Sequence, residues 1–254
     1  MEKGKYKIKV LDKAFKILEL FDEKGKDLTV TEIHNLLGFN KASVFRIIKN
    51  LEDADYLEKD PDTLRYKLGL RLYSLGLLAE PHSTIRRITR PFLTKLNEQC
   101  GETVHLAVLN HGEALYLDKL EGKKTIRVIT RIGTKLPAHC SGLGKILLAS
   151  LSEETLEKII GERGLRRFTD NSITHLGALK TELAKIRKQR CAIDNEEIEE
   201  GLKCAAAPVR DSEGKVVAAI SVSVPKERFD KDISTLISMV KKTAEQISES
   251  MRQQ

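Results

Sequence analysis

The chain has 254 residues, 41% of them hydrophobic, and this is enough to build the cores of two ordinary domains. Its formal net charge of +7 is compatible with a nucleic-acid partner but does not indicate one, because local placement of charge decides such binding. No segment approaches the roughly 18 consecutive apolar residues that cross a bilayer, and the lysine-rich start lacks the apolar core of a signal peptide. We therefore expect a cytoplasmic protein without membrane contact. The four cysteines lack CxxC spacing, so reduced thiols are expected.

Residues 28–40 carry the signals of a tight helix-turn-helix, and apolar periodicity over residues 10–21 predicts a helix that precedes it. Thr29 and Glu32 have the spacing of a capping box that starts a helix. Gly38 stands where such a helix would end in a left-handed residue, and Asn40 can cap the next helix.

The second helix of this pair is predicted to read DNA. Its apolar residues Val44, Ile47, Ile48 and Leu51 recur at helical spacing, and the first turns of the opposite face contain no acid. Residues 56–59 and 64–68 are strand candidates around a turn at 60–63, which predicts a wing. The predicted DNA-binding residues, with Ser43 and Arg46 at bases and Lys49 at phosphate, are Thr29, Asn40, Lys41, Ala42, Ser43, Arg46, Lys49, Arg65 and Lys67. The alternative is an ordinary helical pair with a solvated basic face.

The whole chain is predicted to be α+β, with a winged helix-turn-helix DNA-binding domain at residues 1–69. Residues 70–81 form a linker helix whose apolar side chains, Leu70, Leu72, Tyr73, Leu75 and Leu77, suit a dimer contact or packing on their own domain.

Residues 82–254 form a second domain. Its predicted strands are 103–109, 114–120, 125–132, 204–210 and 216–224, and its predicted helices are 84–100 (with a kink or fresh start at Pro91), 144–151, 176–189 and 232–251. Antiparallel strands with grouped helices indicate a sensor domain.

Four segments of the second domain carry a resemblance to a known family. In chain order they are LPAHCSGLGK at 136–145, DNEE at 194–197, GLKCAAAPV at 201–209 and AISVS at 219–223. With the winged helix-turn-helix, they make the chain similar to IclR-type bacterial transcription regulators over essentially its whole length. The resemblance implies a GAF-like α/β effector-binding domain, homodimers or dimers of dimers on palindromic double-stranded DNA operators, and small organic acids as effectors.

The resemblance also implies an effector pocket. Carried over position by position, it consists of Val128, Gly142, Leu143, Asp194, Leu202, Cys204, Ser221 and Ser223. Amides at a helix start suit a carboxylate, and the alternate serines 221 and 223 project from one strand face. The alternative is that the glycines only permit close packing and that the serines are ordinary strand residues.

Two other functions are open to the same residues. His139, Cys140, Asp194 and Cys204 have ligand types that suit zinc, which would make the chain a metal- or redox-responsive regulator on the same scaffold. A cysteine enzyme would need a neighbouring base and a lowered thiol pKa, which sequence order does not supply. What the resemblance implies is a non-enzymatic transcription regulator, which we expect to repress a carbon-catabolism operon. It would need no cofactor and respond to a small organic acid such as a sugar acid, glyoxylate or a pyruvate-like molecule.

Overall fold

The structure is a computed structural model that describes residues 8–24, 26–78, 82–123 and 130–253. The chain divides into two compact units, Met1–Glu80 and Pro81–Gln254. None of the described helices combines the length and apolar character needed to cross a membrane.

Three helices form the centre of the first unit: α1 (Lys9–Lys24), α2 (Val30–Leu37) and α3 (Lys41–Asp53). The capping box at the start of α2 is present, because Thr29 Oγ1 accepts from Glu32 N at 3.2 Å and Glu32 Oε2 accepts from Thr29 N at 2.8 Å. Gly38 ends α2 with a left-handed φ of +66°. Asn40 Oδ1 then accepts from the Ala42 and Ser43 amides and starts α3. The predicted helix-turn-helix is confirmed.

The wing consists of β1 (Leu57–Lys59) and β2 (Tyr66–Leu68), which pair antiparallel. Leu28 forms an isolated antiparallel β-bridge with Tyr66 of β2. Asp60 Oδ1 holds the predicted turn by accepting from the Asp62 and Thr63 amides at 3.0 and 2.7 Å. Helix α4 (Leu70–Leu78) covers most of the predicted linker, and residues 79–81 lie outside the described residues. The core of this unit comprises Ile17, Leu20, Phe21, Leu28, Ile33, Val44, Ile47, Ile48, Leu57 and Tyr66.

A six-stranded sheet organises the second unit. Its strands are β3 (Thr103–Asn110), β4 (Glu113–Leu120), β5 (Lys135–Pro137), β6 (Ala192–Asn195), β7 (Leu202–Arg210) and β8 (Val216–Pro225). They lie in the order β5-β4-β3-β8-β7-β6, and every neighbouring pair is antiparallel. The predicted strand 125–132 is wrong at its described end, because residues 130–132 are irregular; residues 125–129 lie outside the described residues. The short strands β5 and β6 were not predicted.

The helices of the second unit cover both faces of the sheet: α5 (His82–Cys100), α6 (Gly142–Ala149), α7 (Glu153–Arg163), α8 (Leu176–Gln189) and α9 (Lys226–Arg252). Helices α5 and α9 pack on the face that carries Leu106, Ala205 and Ile220. Helices α6, α7 and α8 pack on the opposite face, which carries Ala206 and Ala219. Because side chains alternate along a strand, Ser221 and Ser223 share the face of Ala219 and lie on the α6 side.

Two helix predictions are corrected by the structure. Pro91 lies inside the continuous helix α5, so a fresh start at that position was wrong. Helix α9 begins at Lys226 rather than at residue 232, and the backbone at Asp232 departs from helical geometry (φ −120°, ψ 19°). The start predicted for this helix, residue 232, therefore coincides with a kink inside α9.

Candidate DNA-reading surface and sheet–helix cavity

Helix α3 separates an apolar face from a polar one. Val44, Ile47 and Ile48 are buried in the core of the first unit. Lys41, Ala42 and Arg46 are exposed, Ser43 is half-buried, and no acidic residue occupies the first turn of α3. This face can approach an anionic backbone and base edges as a recognition helix does.

Phe45 is a further exposed residue on α3 that the sequence analysis did not select. Its exposed fraction is 51%, and it lies beside Arg46 outside the buried stripe. An exposed phenyl ring on a DNA-reading face can contact a thymine methyl group. The sequence already indicated this exposure, because position 45 does not belong to the apolar stripe formed by positions 44, 47, 48 and 51.

Two of the lysines predicted to bind DNA, Lys49 and Lys67, are already paired with acids. Lys49 Nζ lies 2.9 Å from Glu52 Oε2 and 3.8 Å from Asp53 Oδ1, and the Glu52 carboxylate raises the pKa of Lys49. Lys67 Nζ lies 2.9 Å from Glu58 Oε1 across the wing. Both ammonium groups are partly exposed, so a phosphate would compete with these carboxylates.

Arg65 occupies a different position from the predicted one. Instead of projecting from the wing, its guanidinium donates to both oxygens of Glu32 at 3.0 Å and to the Asp27 carbonyl at 2.7 Å. The bond from Thr29 N, followed by the Arg65 bond, lowers the pKa of Glu32 to about 2. Arg65 and Thr29 thus join the wing to the start of α2, and DNA contact by Arg65 would require this ion pair to break.

The second unit contains a cavity between the sheet and the start of α6, which we call the sheet–helix cavity. It encloses about 130 Å³. Its described lining residues are His105, Tyr116, Thr130, Leu136, Ser141, Gly142, Leu143, Asp194, Ile198, Glu199, Leu202, Cys204, Ser221 and Ser223. Seven of the eight residues expected in an effector pocket are among them, and the eighth, Val128, lies outside the described residues.

The strand register explains how residues distant in sequence meet in this cavity. Asp194 on β6 is opposite Cys204 on β7, and Cys204 is opposite Ser223 on β8. On the other side of β8, Ser221 is opposite His105 of β3. The polar side chains of four neighbouring strands therefore form a row across the sheet beside the cavity.

The start of α6 lines the cavity with Ser141, Gly142 and Leu143. Ser141 caps this helix, and its Oγ accepts from Gly144 N at 3.1 Å. The amides of Gly142 and Leu143 belong to the first turn, where a helix provides no acceptor of its own. A Cβ at Gly142 would lie 3.3 Å from the Ala206 Cβ, so glycine lets the helix start approach β7 closely.

His105 is the main cavity residue that the sequence analysis missed. Its Nε2 lies 2.6 Å from Thr130 Oγ1, and its Nδ1 lies 3.3 Å from Ser223 Oγ. Burial, followed by the charge of Lys119, lowers the pKa of His105 to about 3, so the ring is neutral. Cys204 Sγ donates to Ser223 Oγ at 3.1 Å, which extends the hydrogen-bonded chain.

Asp194 is a buried carboxyl group at the cavity wall. Burial raises its pKa to about 7, although its Oδ1 accepts from the Glu197 amide at 2.9 Å. The buried ammonium of Lys145 contacts the Glu197 carboxylate and donates to the Ile193 carbonyl at 2.6 Å. A group that gains and loses a proton near neutrality can donate a hydrogen bond to a bound anion.

The four residues considered for zinc are not gathered into a metal site. His139 Nε2 lies 3.0 Å from the Arg166 carbonyl, and neither His139 nor Cys140 lines the cavity. Within residues 8–24, 26–78, 82–123 and 130–253, no three His, Cys, Asp or Glu side chains could share a metal ion. Burial raises the pKa of Cys140 to about 12 and also raises that of Cys204, so both thiols are protonated and poorly nucleophilic.

Each of the two units matches a known protein-family domain. Residues 10–61 match the IclR helix-turn-helix domain, and residues 80–249 match the bacterial transcriptional regulator IclR C-terminal domain. The chain belongs to the IclR family. It is therefore a DNA-binding transcription regulator and not an enzyme, as the sequence resemblance implied.

Relatives across this IclR family cover nearly the whole chain. The HTH-type transcriptional regulator XynR of Escherichia coli K12 is 34% identical over 88% of each chain. The HTH-type transcriptional repressor AllR of Salmonella typhi is 34% identical over 94% of this chain and 88% of its own. A crystal structure of an IclR homolog from Microbacterium hydrocarbonoxydans, complexed with 4-hydroxybenzoate, matches with a TM-score of 0.87 and 25% identity over 96% of this chain and 100% of that one.

Proposed function

We propose that this IclR-family protein represses a carbon-catabolism operon and that a small organic acid in the sheet–helix cavity controls its binding to the operator. The observation that carries the proposal is the cavity itself, where the α6 start, Asp194, Ser221 and Ser223 converge. Relatives named as repressors and a homolog named as a 4-hydroxybenzoate complex support the same mode of action.

The charges around the cavity favour a ligand with one carboxylate. Amides at the start of α6 and the positive end of its dipole attract an anion. The nearby Lys145 is paired with Glu197, so it balances an existing charge rather than a new one. A protonated Asp194 would donate to the ligand, and a carboxylate ligand would in turn favour that proton.

The size of the cavity favours a short acid. The described lining encloses about 130 Å³, whereas an apolar protein cavity of about 150 Å³ accommodates benzene. Glyoxylate and pyruvate fit such a volume better than a six-carbon sugar acid. The hydroxyls of Ser221 and Ser223 would then bond the carbonyl oxygen of the ligand.

Control of DNA binding requires two recognition helices at a fixed spacing, so we propose that the repressor acts in the cytoplasm as a homodimer or a dimer of dimers on a palindromic operator. Helix α4 supports this assembly, because Leu70, Tyr73 and Leu78 have exposed fractions of 76, 67 and 77%. Exposed apolar side chains in sequence along one helix are typical of an interface.

The test is calorimetry of the full chain with glyoxylate and pyruvate, compared with pyruvamide as an uncharged ligand of the same size. We expect an acid to bind, to raise the melting temperature and to change operator affinity in a mobility-shift assay. Equal binding of pyruvate and pyruvamide would refute the carboxylate role. Binding of neither acid, with unchanged operator affinity, would refute this choice of effector.

A further inference from the structure

A second depression in the second unit is lined by cations, and we call it the basic groove. It consists of two adjoining hollows of about 460 and 290 Å³ that share Arg190, Pro208 and Arg210. Its basic residues are Arg187, Arg190, Arg210, Lys215, Lys241 and Arg252. Among the described lining residues, Glu245 is the single carboxylate.

Most of these cations have no acidic partner. Lys215 pairs with Glu213 at 2.5 Å. Arg187 Nε and Arg210 Nη1 donate to the carbonyls of Ala149 and Gly214, each at 2.7 Å, and both acceptors are neutral. In the described part of the chain, no salt bridge includes Arg187, Arg190, Arg210, Lys241 or Arg252. Clustered like charges repel one another, so an anion in the groove would relieve that repulsion.

The backbone at Arg190 is a second unusual feature of the groove. Arg190 ends helix α8 with φ +52°, a left-handed conformation that usually belongs to glycine. Retaining a large cation there costs conformational energy, and such strain concentrates at binding sites. Arg190 lines both hollows and so lies where they adjoin.

The shape of the groove favours a small molecule over a DNA backbone. Its walls include the apolar residues Ile146, Pro208 and Val216, and the larger hollow lies within the roughly 300–1,000 Å³ of small-molecule sites. Guanidinium groups bind phosphates and carboxylates through two parallel hydrogen bonds, which suits a ligand with separated anionic groups.

We propose that the basic groove is a ligand site, separate from the sheet–helix cavity, for a small molecule that carries at least two phosphate or carboxylate groups. The two sites share no lining residue, yet they share elements. Gly142 and Leu143 at the start of α6 line the cavity, whereas Ile146 and Ala149 near its end line the groove. Strands β7 and β8 also contribute to both sites, so the groove is placed to act as a second regulatory input.

The experiment is calorimetry of the full chain with pyrophosphate as the probe, at constant ionic strength. The double variant Arg190→Asn/Lys241→Gln removes two groove cations, and Asn tolerates the left-handed backbone at 190. The double variant Lys188→Gln/Lys242→Gln is the matched control. It removes the same charge from exposed neighbours on α8 and α9 that do not line the groove.

We expect pyrophosphate to bind the wild type and the control variant alike and to bind the groove variant at least about tenfold more weakly. Absence of binding to the wild type would overturn the proposal. Equally weakened pyrophosphate binding in both variants would show general charge attraction rather than a site, and would also overturn the proposal. If the groove variant lost operator affinity but kept pyrophosphate affinity, the surface would belong to DNA and the proposal would be wrong.

Discussion

Gly144 packs directly against the backbone of Ala138. A Cβ at position 144 would lie 2.3 Å from both the Cα and the carbonyl oxygen of Ala138, closer than real contacts allow. The short 3-10 helix Ala138–Cys140 therefore lies against the first turn of α6. This packing fixes the helix start that lines the sheet–helix cavity.

Gly144→Ala should destabilise the second unit by about 1–3 kcal/mol, because backbone must move to accept the methyl group. Gly161→Ala is the control, since Gly161 lies inside α7 and a new Cβ there would meet nothing within 4 Å beyond its own helix backbone. Alanine there should stabilise the protein by up to about 1 kcal/mol. Urea unfolding of both variants checks this, and a Gly144→Ala protein as stable as wild type would contradict the packing account.

Arg46→Ala should weaken specific operator binding by about 1–3 kcal/mol if its guanidinium reads a base edge. Its exposed position on α3 and the absence of acids in the first turn of that helix are the physical reasons. Arg167→Ala, an exposed arginine in the second unit, serves as the charge-matched control. A mobility-shift assay with unchanged affinity for Arg46→Ala would remove this residue from the DNA-reading surface.

Arg65→Ala and Glu32→Gln should each lower the melting temperature of the first unit, and the double variant should add little to either single effect. Glutamine can still cap α2, so Glu32→Gln isolates the ion pair. The pKa of Glu32 is about 2 against an ordinary 4.5, so its ionised carboxylate, bonded to Thr29 N and Arg65, stabilises the fold above pH 4.5, and this contribution is lost as pH falls toward 2. Scanning calorimetry measures these effects. Full stability of Arg65→Ala combined with weaker operator binding would show instead that Arg65 serves DNA.

Asp194→Asn should make the protein more stable at pH 8 and remove part of its pH dependence. The folded carboxyl has a pKa raised to about 7 from an ordinary 3.8, so the folded state holds a proton that the unfolded state has lost between these values. Stability therefore falls as pH rises from 4 to 7, and asparagine avoids this loss, roughly 2–4 kcal/mol at pH 8. Denaturation at pH 4 and pH 8 checks the difference. Identical pH slopes for the two proteins would contradict a protonated Asp194.

The sequence predicted the first unit well because its signals are local. The Thr29–Glu32 capping box, Gly38 and the Asn40 cap each act within a few residues, and all three form as expected. The Arg65–Glu32 pair could not be predicted, since it joins residues 33 positions apart whose meeting depends on how the wing folds back.

In the second unit, the family motifs identified residues that meet in one cavity. The sequence spacing of these residues alone could not have shown that they meet. His105 was missed because β3 is buried on both faces and no local spacing marks one residue of it as functional; His105 reaches the cavity through its register with Ser221 on β8. Strands β5 and β6, of three and four residues, were missed because they are too short to show alternation. Of the proposed zinc ligands, Asp194 and Cys204 meet in the cavity, but His139 and Cys140 do not line it.

The most direct test of the account is a titration of operator DNA with the full chain, with and without pyruvate or glyoxylate, for the wild type and for Ser221→Ala/Ser223→Ala. We predict that the acid changes wild-type operator affinity by about 5–150-fold. The variant should bind operator normally without the acid and should lose the response. An equal response in the variant and the wild type would contradict control through the sheet–helix cavity.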